Sequence, residues 1–432
     1  MLDMKWIREN AEEVRVAAEQ KGIDVSIDNL LQWDERKRKL IQETDGLREK
    51  RNRLSQQIGQ LMLEKRVEEA NLIKEDARKV NDRLGKLDHE LTIAEEAFAT
   101  LYELVPNVTS PDTPVGRSDE DNVELARFGE PPSFDFEARD HMALGALHDL
   151  IDVPRGVKTA GTRHYYLKGA GVLLHRAVQQ LALDLLVEKG FTPLEVPLMA
   201  RPEAMNNTAF FPTGRDQTYR LEDEDRYLVG TSEVPLVTFH AGEIVQVETP
   251  IKLAAASMCF RSEVGSAGRD VHGLYRVHQF AKVEQVVICR ADAALSNTIL
   301  EEITANAEKL LQLLELPYRK VAVCTGDMSQ KTYKQYDLET WMPSRAAYGE
   351  THSSSNLHDF QARRSNIRYY DENCVLRYCH TLNNTAVASP RILIPLLENH
   401  QREDGSIYIP KALRPYMYGK TELVAPQLLG KD

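Results

Sequence analysis

Residues able to do chemistry concentrate in Phe260–Glu284, FRSEVGSAGRDVHGLYRVHQFAKVE. Arg261 and Glu263 open this stretch and Glu284 closes it. Between them, Gly265, Gly268 and Gly273 surround Arg269 and Asp270. A return follows through Tyr275, Val277 and Phe280, alternating with Arg276, His278 and, past Ala281, Lys282. Period-2 alternation, with glycines marking the turn, predicts an antiparallel hairpin. A guanidinium at one end and a carboxylate at the other suit a ligand with both negative and positive groups. The same composition also fits a charged, solvated surface hairpin. G-x-G-x-x-G, P-loop and H-E-x-x-H patterns are absent. The five cysteines (Cys259, Cys289, Cys324, Cys374 and Cys379) are odd in number and contain no C-x-x-C pair. They read as small buried apolar residues in a reducing compartment, not as a disulfide framework or a zinc site.

The elements that must position these residues are spread over 432 residues, enough for two or three domains. A net charge of −12 means that binding a nucleic acid requires a local basic patch. Charges at Asp3, Lys5, Arg8 and Glu9 rule out a signal-peptide apolar region at the N-terminus, and no uninterrupted apolar run is long enough to predict a membrane span. Residues 4–20 form a short amphipathic segment ending near Gly22. Trp33, Leu40, Leu47, Leu54 and Leu61 then recur at seven-residue steps. Past a tip near Val67, Glu68 and Glu69, a second run (Ile73, Ala77, Val80, Leu84, Leu87, Leu91, Ala94, Phe98, Leu101) keeps 4-3-4-3 spacing. This is a heptad seam, and two such runs predict an antiparallel coiled-coil hairpin. An arm of about 38 residues reaches roughly 57 Å. Lys37, Thr44 and Arg51 weaken the first seam, although long stems can still cover apolar surface.

Charge on this arm is uneven. Residues 33–66 hold ten Lys or Arg against six Asp or Glu, and residues 67–105 hold five against ten. Arg36, Arg38, Lys39, Arg48, Lys50 and Arg53 lie off the seam. A basic stripe on a rod can follow a phosphate backbone. Ion pairing between the two helices and docking of a protein partner fit the same residues.

Pro106 ends the hairpin. Residues 106–135, rich in Pro, Gly and Asp, read as a connecting segment without its own core. A mixed pattern follows. It predicts helices over Gly169–Lys189, closed by Gly190, and over 293–315. It predicts strands at Phe191–Leu198 (an edge or interface position, given Pro193 and Pro197), at Val321–Cys324 and at Asn366–Tyr370. Without β-α-β alternation, an α+β fold with an antiparallel sheet flanked by helices is expected.

These pieces together resemble the bacterial-type seryl-tRNA synthetases, a family of class II aminoacyl-tRNA synthetases, over essentially the full length. Gly190-Phe191 through Pro197 is similar to motif 1, Phe260–Glu284 to motif 2 and its flank, and Asn383–Glu398 (NNTAVASPRILIPLLE) to motif 3. Thr231-Ser232-Glu233 matches the serine-binding T-x-E element. Glu350–Ser353 and Ser355–Arg364 match the metal and ATP stretch. The resemblance divides the chain into a tRNA-binding coiled-coil arm (1–105), a linker (106–135) and a catalytic domain (136–432).

The implied reaction is ATP-dependent activation of L-serine and its transfer to tRNA(Ser), with tRNA(Sec) left open as a further substrate. No protein nucleophile is needed, so positioning and electrostatics dominate. By resemblance Arg261 bridges the serine carboxylate and the α-phosphate, Glu263 receives the adenine amino group and Phe280 stacks on the ring. Ser262, Val277, Thr351 and His352 complete the ATP site. Arg391 holds the γ-phosphate, and Glu350 with Ser353 ligates Mg²⁺. Thr231, Ser232 and Glu233 meet the serine ammonium. Glu284, Asn383 and Thr385 read its hydroxyl, which rejects analogues lacking one. Asn383–Thr385 also fits a polar turn before a helix. Arg36, Arg38, Arg48 and Arg53 would grip the tRNA. A homodimer through motif 1 (Pro197), no membrane association and a cytoplasmic location complete the expectation. The alternatives are a divergent paralogue, such as an inhibitor-insensitive resistance form, and an amino acid:carrier-protein ligase.

Three positions depart from the family pattern. Ser389-Pro390-Arg391 stands where a small apolar residue, Gly and Arg are usual, and His352 replaces a small residue. Pro395 denies the Arg391 carbonyl its helical donor, which predicts a kink or a delayed helix start there.

Overall fold

The computed structural model describes residues 1–264 and 272–425. Gly265, Gly268, Arg269 and Asp270, expected in the turn of the hairpin, lie outside the described residues. The chain forms two compact units, Asp3–Pro106 and Asn107–Asp432 together with Met1–Leu2.

In the first unit, two short helices, Met4–Glu9 and Ala11–Gln20, precede the long pair Ile27–Leu63 and Val67–Leu104. Gly22 closes the short segment at φ +65°, a left-handed conformation that suits glycine. The long pair follows the heptad seam: Leu40, Leu87 and Ala94 are buried, with Trp33, Leu47 and Leu91 packed against them. The tip is Glu64–Arg66, so Val67–Glu69 form the first turn of the second helix. The weak seam positions hold by other means. Thr44 is buried and donates to the Leu40 carbonyl at 2.7 Å. The Lys37 ammonium sits 3.6 Å from the centroid of the Phe98 ring.

The second unit is built on an eight-stranded sheet. In chain order its strands are β1 Val123–Phe128, β2 Thr192–Pro193, β3 Ile251–Phe260, β4 Gln279–Cys289, β5 Tyr318–Ala322, β6 Lys334–Met342, β7 Ala347–Asn356 and β8 His380–Ser389. Their spatial order is β1-β5-β6-β7-β8-β4-β3-β2, antiparallel except for the short β2–β3 pair. Alternation along the central strands feeds two cores. Val283, Val287 and Cys289 face the helices Ala170–Glu188 and Ala293–Leu313, whereas Val286 and Ile288 pack with Leu236, Leu253 and Ile367. Burying each such side chain contributes about 1.5–3 kcal/mol. The helix Ala170–Glu188 is long and apolar enough to cross a membrane by length and composition. Here Leu174, Ala177, Val178, Ala182 and Leu186 bury it in the sheet's core.

Several expectations shift. The segment 106–135 is not merely connecting, because it supplies edge strand β1, whose Val123, Leu125 and Phe128 were masked by the Pro- and Gly-rich surroundings. Phe191–Leu198 contributes only Thr192–Pro193 to the sheet, followed by a single bond from the Leu194 N–H to the Ala254 carbonyl at 2.8 Å. The strands expected at Val321–Cys324 and Asn366–Tyr370 are Tyr318–Ala322 and Arg368–Tyr370. The hairpin exists, but its strands lie mostly outside Phe260–Glu284, and Tyr275 and Val277 precede β4 in irregular backbone. Their alternation reflects packing against the site and not a ladder. Asn383–Thr385 is not a turn but lies within β8. Past β8 the helix begins at Leu393, the delayed start that Pro395 requires, and the Arg391 carbonyl accepts from the Ile394 N–H at 3.1 Å.

Candidate active site

A cleft opens over β4, β7 and β8. Arg261, immediately after β3, enters it with Nε donating to the Gly230 carbonyl at 3.3 Å. Its guanidinium lies 5.3 Å from the centroid of Phe280, on β4. A Cβ on residue 230 would come within 3.2 Å of Phe210 and 3.5 Å of the Arg261 side chain, so a glycine permits this approach. Glu263 also lines the cleft, held at φ +51°, a left-handed conformation costing a residue with a Cβ about 1 kcal/mol. Ser262 does not line it, because its Oγ donates to the Asp216 carbonyl at 2.8 Å.

The opposite wall holds Glu350, Thr351, His352 and Ser353 from β7, with Arg391 beyond β8. Arg391 Nη1 stands 3.6 Å from the Glu350 carboxylate and donates to the Glu350 carbonyl at 3.2 Å. Its guanidinium covers the Tyr275 ring. Ser353 Oγ accepts from Gln335 at 3.1 Å, and the same amide donates to Asp337 at 3.0 Å. Burial first, and then the Glu350 charge, push the Asp337 carboxyl well above the usual range. No cluster of three His, Cys, Asp or Glu suited to a metal occurs among the described residues. One half-exposed carboxylate, one hydroxyl and a crowded acidic surround nevertheless fit Mg²⁺, which takes most of its ligands from phosphates and water. His352 is buried, with Nδ1 2.8 Å from Thr351 Oγ1. Burial brings it down to about 3, so the imidazole is neutral.

Beneath the cleft lies a polar floor. Lys282 Nζ donates to Thr231 Oγ1 and reaches Glu284, each at 2.6 Å. Burial pushes the Glu284 carboxyl up, with Lys282 opposing. Thr385, on the facing rung of β8, donates to Glu284 at 3.4 Å and lines the cleft. Glu233 accepts from Lys331 at 2.6 and 2.7 Å, and from Gln361 and Asn383, each at 2.8 Å. Thr231, Ser232, Glu233, Glu284 and Asn383 are all buried and lie below the cleft rather than on its wall.

Sequence reasoning left Arg276, Lys282, Tyr275, Lys331 and Gln361 without roles. Arg276 lines the cleft with Nη1 3.6 Å from Glu263. Lys282 was detectable, since two residues along a strand return to the same face and put it beside Glu284. Lys331 and Gln361 reach Glu233 from 98 and 128 residues away, which no local pattern reports.

On the arm, pairing between the helices does occur. Arg36 bonds Glu90, and Arg48 reaches Asp88 at 3.1 Å and Asp45 at 3.4 Å. Arg38 pairs with Asp34 at 3.1 Å within its own helix. Arg53 is exposed and has no ion pair among the described residues. Pro197, in the stretch similar to motif 1, is exposed.

Residues 1–109 match the family described as seryl-tRNA synthetase N-terminal domain, and residues 219–400 match the tRNA synthetase class II core domain of the G, H, P, S and T enzymes. A serine–tRNA ligase from Deinococcus radiodurans is 45% identical, covering 99% of this chain and 100% of its own. One from Rubrobacter xylanophilus is 41% identical over 96% of this chain and 98% of its own. The crystal structure of seryl-tRNA synthetase from Pyrococcus horikoshii complexed with ATP superposes with a TM-score of 0.90 at 37% identity, covering 99% of this chain and 100% of the other. The cytoplasmic serine–tRNA ligase of Naegleria fowleri in complex with AMP gives 0.85 at 28% identity, covering 99% of each chain.

Proposed function

The chain belongs to the seryl-tRNA synthetases, and from that membership we propose how its residues divide the work of the reaction. The enzyme activates L-serine with ATP and then charges tRNA. A serine carboxylate oxygen attacks the α-phosphorus and pyrophosphate leaves. A ribose hydroxyl at the tRNA 3′ end then attacks the seryl carbonyl and AMP leaves.

The reading rests on one observation: Arg261, set against Phe280, shares a cleft with Glu350 and Arg391. Arg261 bridges the serine carboxylate and the α-phosphate as charge spreads over the oxygens. Phe280 stacks on adenine, and Glu263 accepts from its amino group. Val277, Thr351 and His352 shape the nucleotide wall. Ser262 supports the turn beneath it. Arg391 meets the γ-phosphate, and Arg276 joins it as a second cation. Glu350 and Ser353 would hold Mg²⁺, which neutralises phosphate charge. Glu233, with Thr231 and Ser232, meets the ammonium. Glu284 and Thr385, with Asn383 behind them, select the serine hydroxyl. Arg53, with Arg36, Arg38 and Arg48, carries the tRNA contact on the arm. A homodimer through the Pro197 segment and a cytoplasmic site of action complete the proposal.

Serine-dependent ATP–pyrophosphate exchange, followed by charging of purified tRNA(Ser), tests it. Exchange with serine and transfer to tRNA are expected. Exchange without transfer, or transfer only to a carrier protein, would refute it.

A further inference from the structure

One buried amide outside the cleft ties together two segments that converge on Glu233. Asn107, the first residue after Pro106, is 3% exposed. Its N–H donates to the Gln330 carbonyl at 2.8 Å. Its side-chain Nδ2 donates to the Lys331 carbonyl at 3.1 Å and the Leu357 carbonyl at 3.0 Å. An amide NH₂ has two donors, and both are used.

The two carbonyls belong to different arms of one network. Lys331 sends its ammonium to both oxygens of Glu233. Leu357 leads into the short helix Phe360–Ser365 carrying Gln361, whose Nε2 donates to Glu233 Oε1 at 2.8 Å. The Leu357 N–H also bonds the Thr381 carbonyl, and Thr381 Oγ1 donates to Gln361 Oε1 at 2.9 Å, fixing that amide's orientation. Neighbouring bonds hold the same strip: the Ser110 N–H donates to the Tyr333 carbonyl at 2.9 Å, and Lys334 reaches Asp112 at 2.5 Å.

We propose that Asn107 is a positioning residue for serine binding: by fixing the backbone at Lys331 and Leu357, it sets the lysine and glutamine that aim the Glu233 carboxylate. The proposal rests on Glu233 being the ammonium site. A carboxylate whose donors drift loses its orientation toward the substrate amine, while the nucleotide wall on β4 and β7 shares none of these bonds. Loss of Asn107 therefore weakens serine more than ATP.

Full-length Asn107→Ala, Asn107→Ser and Glu233→Gln, assayed by ATP–pyrophosphate exchange, decide it. Asn107→Ala is expected to raise the serine KM about tenfold, the scale of one or two buried hydrogen bonds, with the ATP KM within about twofold. Asn107→Ser keeps one donor and should fall between, and it stands in if the alanine variant does not fold. Equal rises in both KM values, or an unchanged serine KM in folded Asn107 variants, overturn the proposal. The Glu233→Gln arm separates the two failures. A raised serine KM there with unmoved Asn107 variants sinks only the positioning role, whereas an unmoved Glu233→Gln sinks the ammonium-site reading as well.

Discussion

The Arg391 guanidinium lies 4.4 Å from the centroid of the Tyr275 ring, and its Nε donates to the Tyr275 carbonyl at 3.1 Å. Arg345 covers the same ring at 4.1 Å. The Tyr275 hydroxyl donates to the Glu350 carbonyl at 3.1 Å. One residue thus braces Arg391, the cation proposed to meet the γ-phosphate, with its ring and its backbone and ties it to the strand carrying Glu350.

Tyr275→Leu keeps the backbone acceptor and removes the ring. A cation–π contact contributes about 0.5–2 kcal/mol, so the KM for ATP should rise roughly 2- to 30-fold. The serine KM should not move. Steady-state exchange kinetics measure both, and a parallel rise would show that Tyr275 braces the whole site.

Lys331→Met leaves the buried Glu233 carboxylate with only the amides of Gln361 and Asn383. Breaking a buried pair from one side costs about 3–5 kcal/mol. A fall of several degrees in the unfolding midpoint is expected, together with a raised serine KM. Calorimetry on the variant checks the first, and a midpoint within a degree of the parent would contradict it.

On the arm, Arg48 already holds two carboxylates, so its reversal perturbs helix pairing as well as any RNA contact. Arg53→Glu is the cleaner test. It should raise the tRNA KM and flatten the salt dependence by about one unit of slope, leaving serine-dependent exchange intact. Loss of exchange in step with charging would argue against the division of labour.

Acid should loosen the catalytic unit before it titrates its exposed carboxylates. His358 and His380 stack at 4.4 Å, and burial lowers them to about 3 and about 4. Both are neutral when folded, whereas the unfolded chain takes up protons near pH 6.5. Stability is therefore full above that pH and is lost as pH falls toward 4, by about 1.4 kcal/mol per pH unit for each histidine. Urea unfolding across this range should show a shallower slope in His380→Asn. An unchanged slope would remove His380 from the account.

The sequence was most legible where a repeat is long. Seven-residue periodicity located the arm helices, because a seam of buried leucines has to recur at that step. Of the candidate site, motifs in three separate stretches named Arg261, Glu350 and Arg391, which line one cleft. Two kinds of feature stayed hidden. Tyr275 and Val277 alternate without forming a strand, since burial against a site can copy a pleat. Lys331 and Gln361 converge on Glu233 through tertiary structure alone. Arg36 and Arg48 show that a basic stripe and pairing between helices are not exclusive, because the same guanidinium can neutralise a neighbouring carboxylate and remain half-open to solvent.

Glu284 and Thr385 face one another across a single rung between the central strands β4 and β8. On the proposed reading, in which these two select the serine hydroxyl, amino-acid choice is carried by the sheet's registry and not by its loops. Grafting loops onto this scaffold would leave that choice untouched. Reassigning it would mean changing Glu284 and Thr385 together, in a rung where Lys282 also holds the Glu284 carboxylate at 2.6 Å and so ties the choice to the charge beneath the cleft.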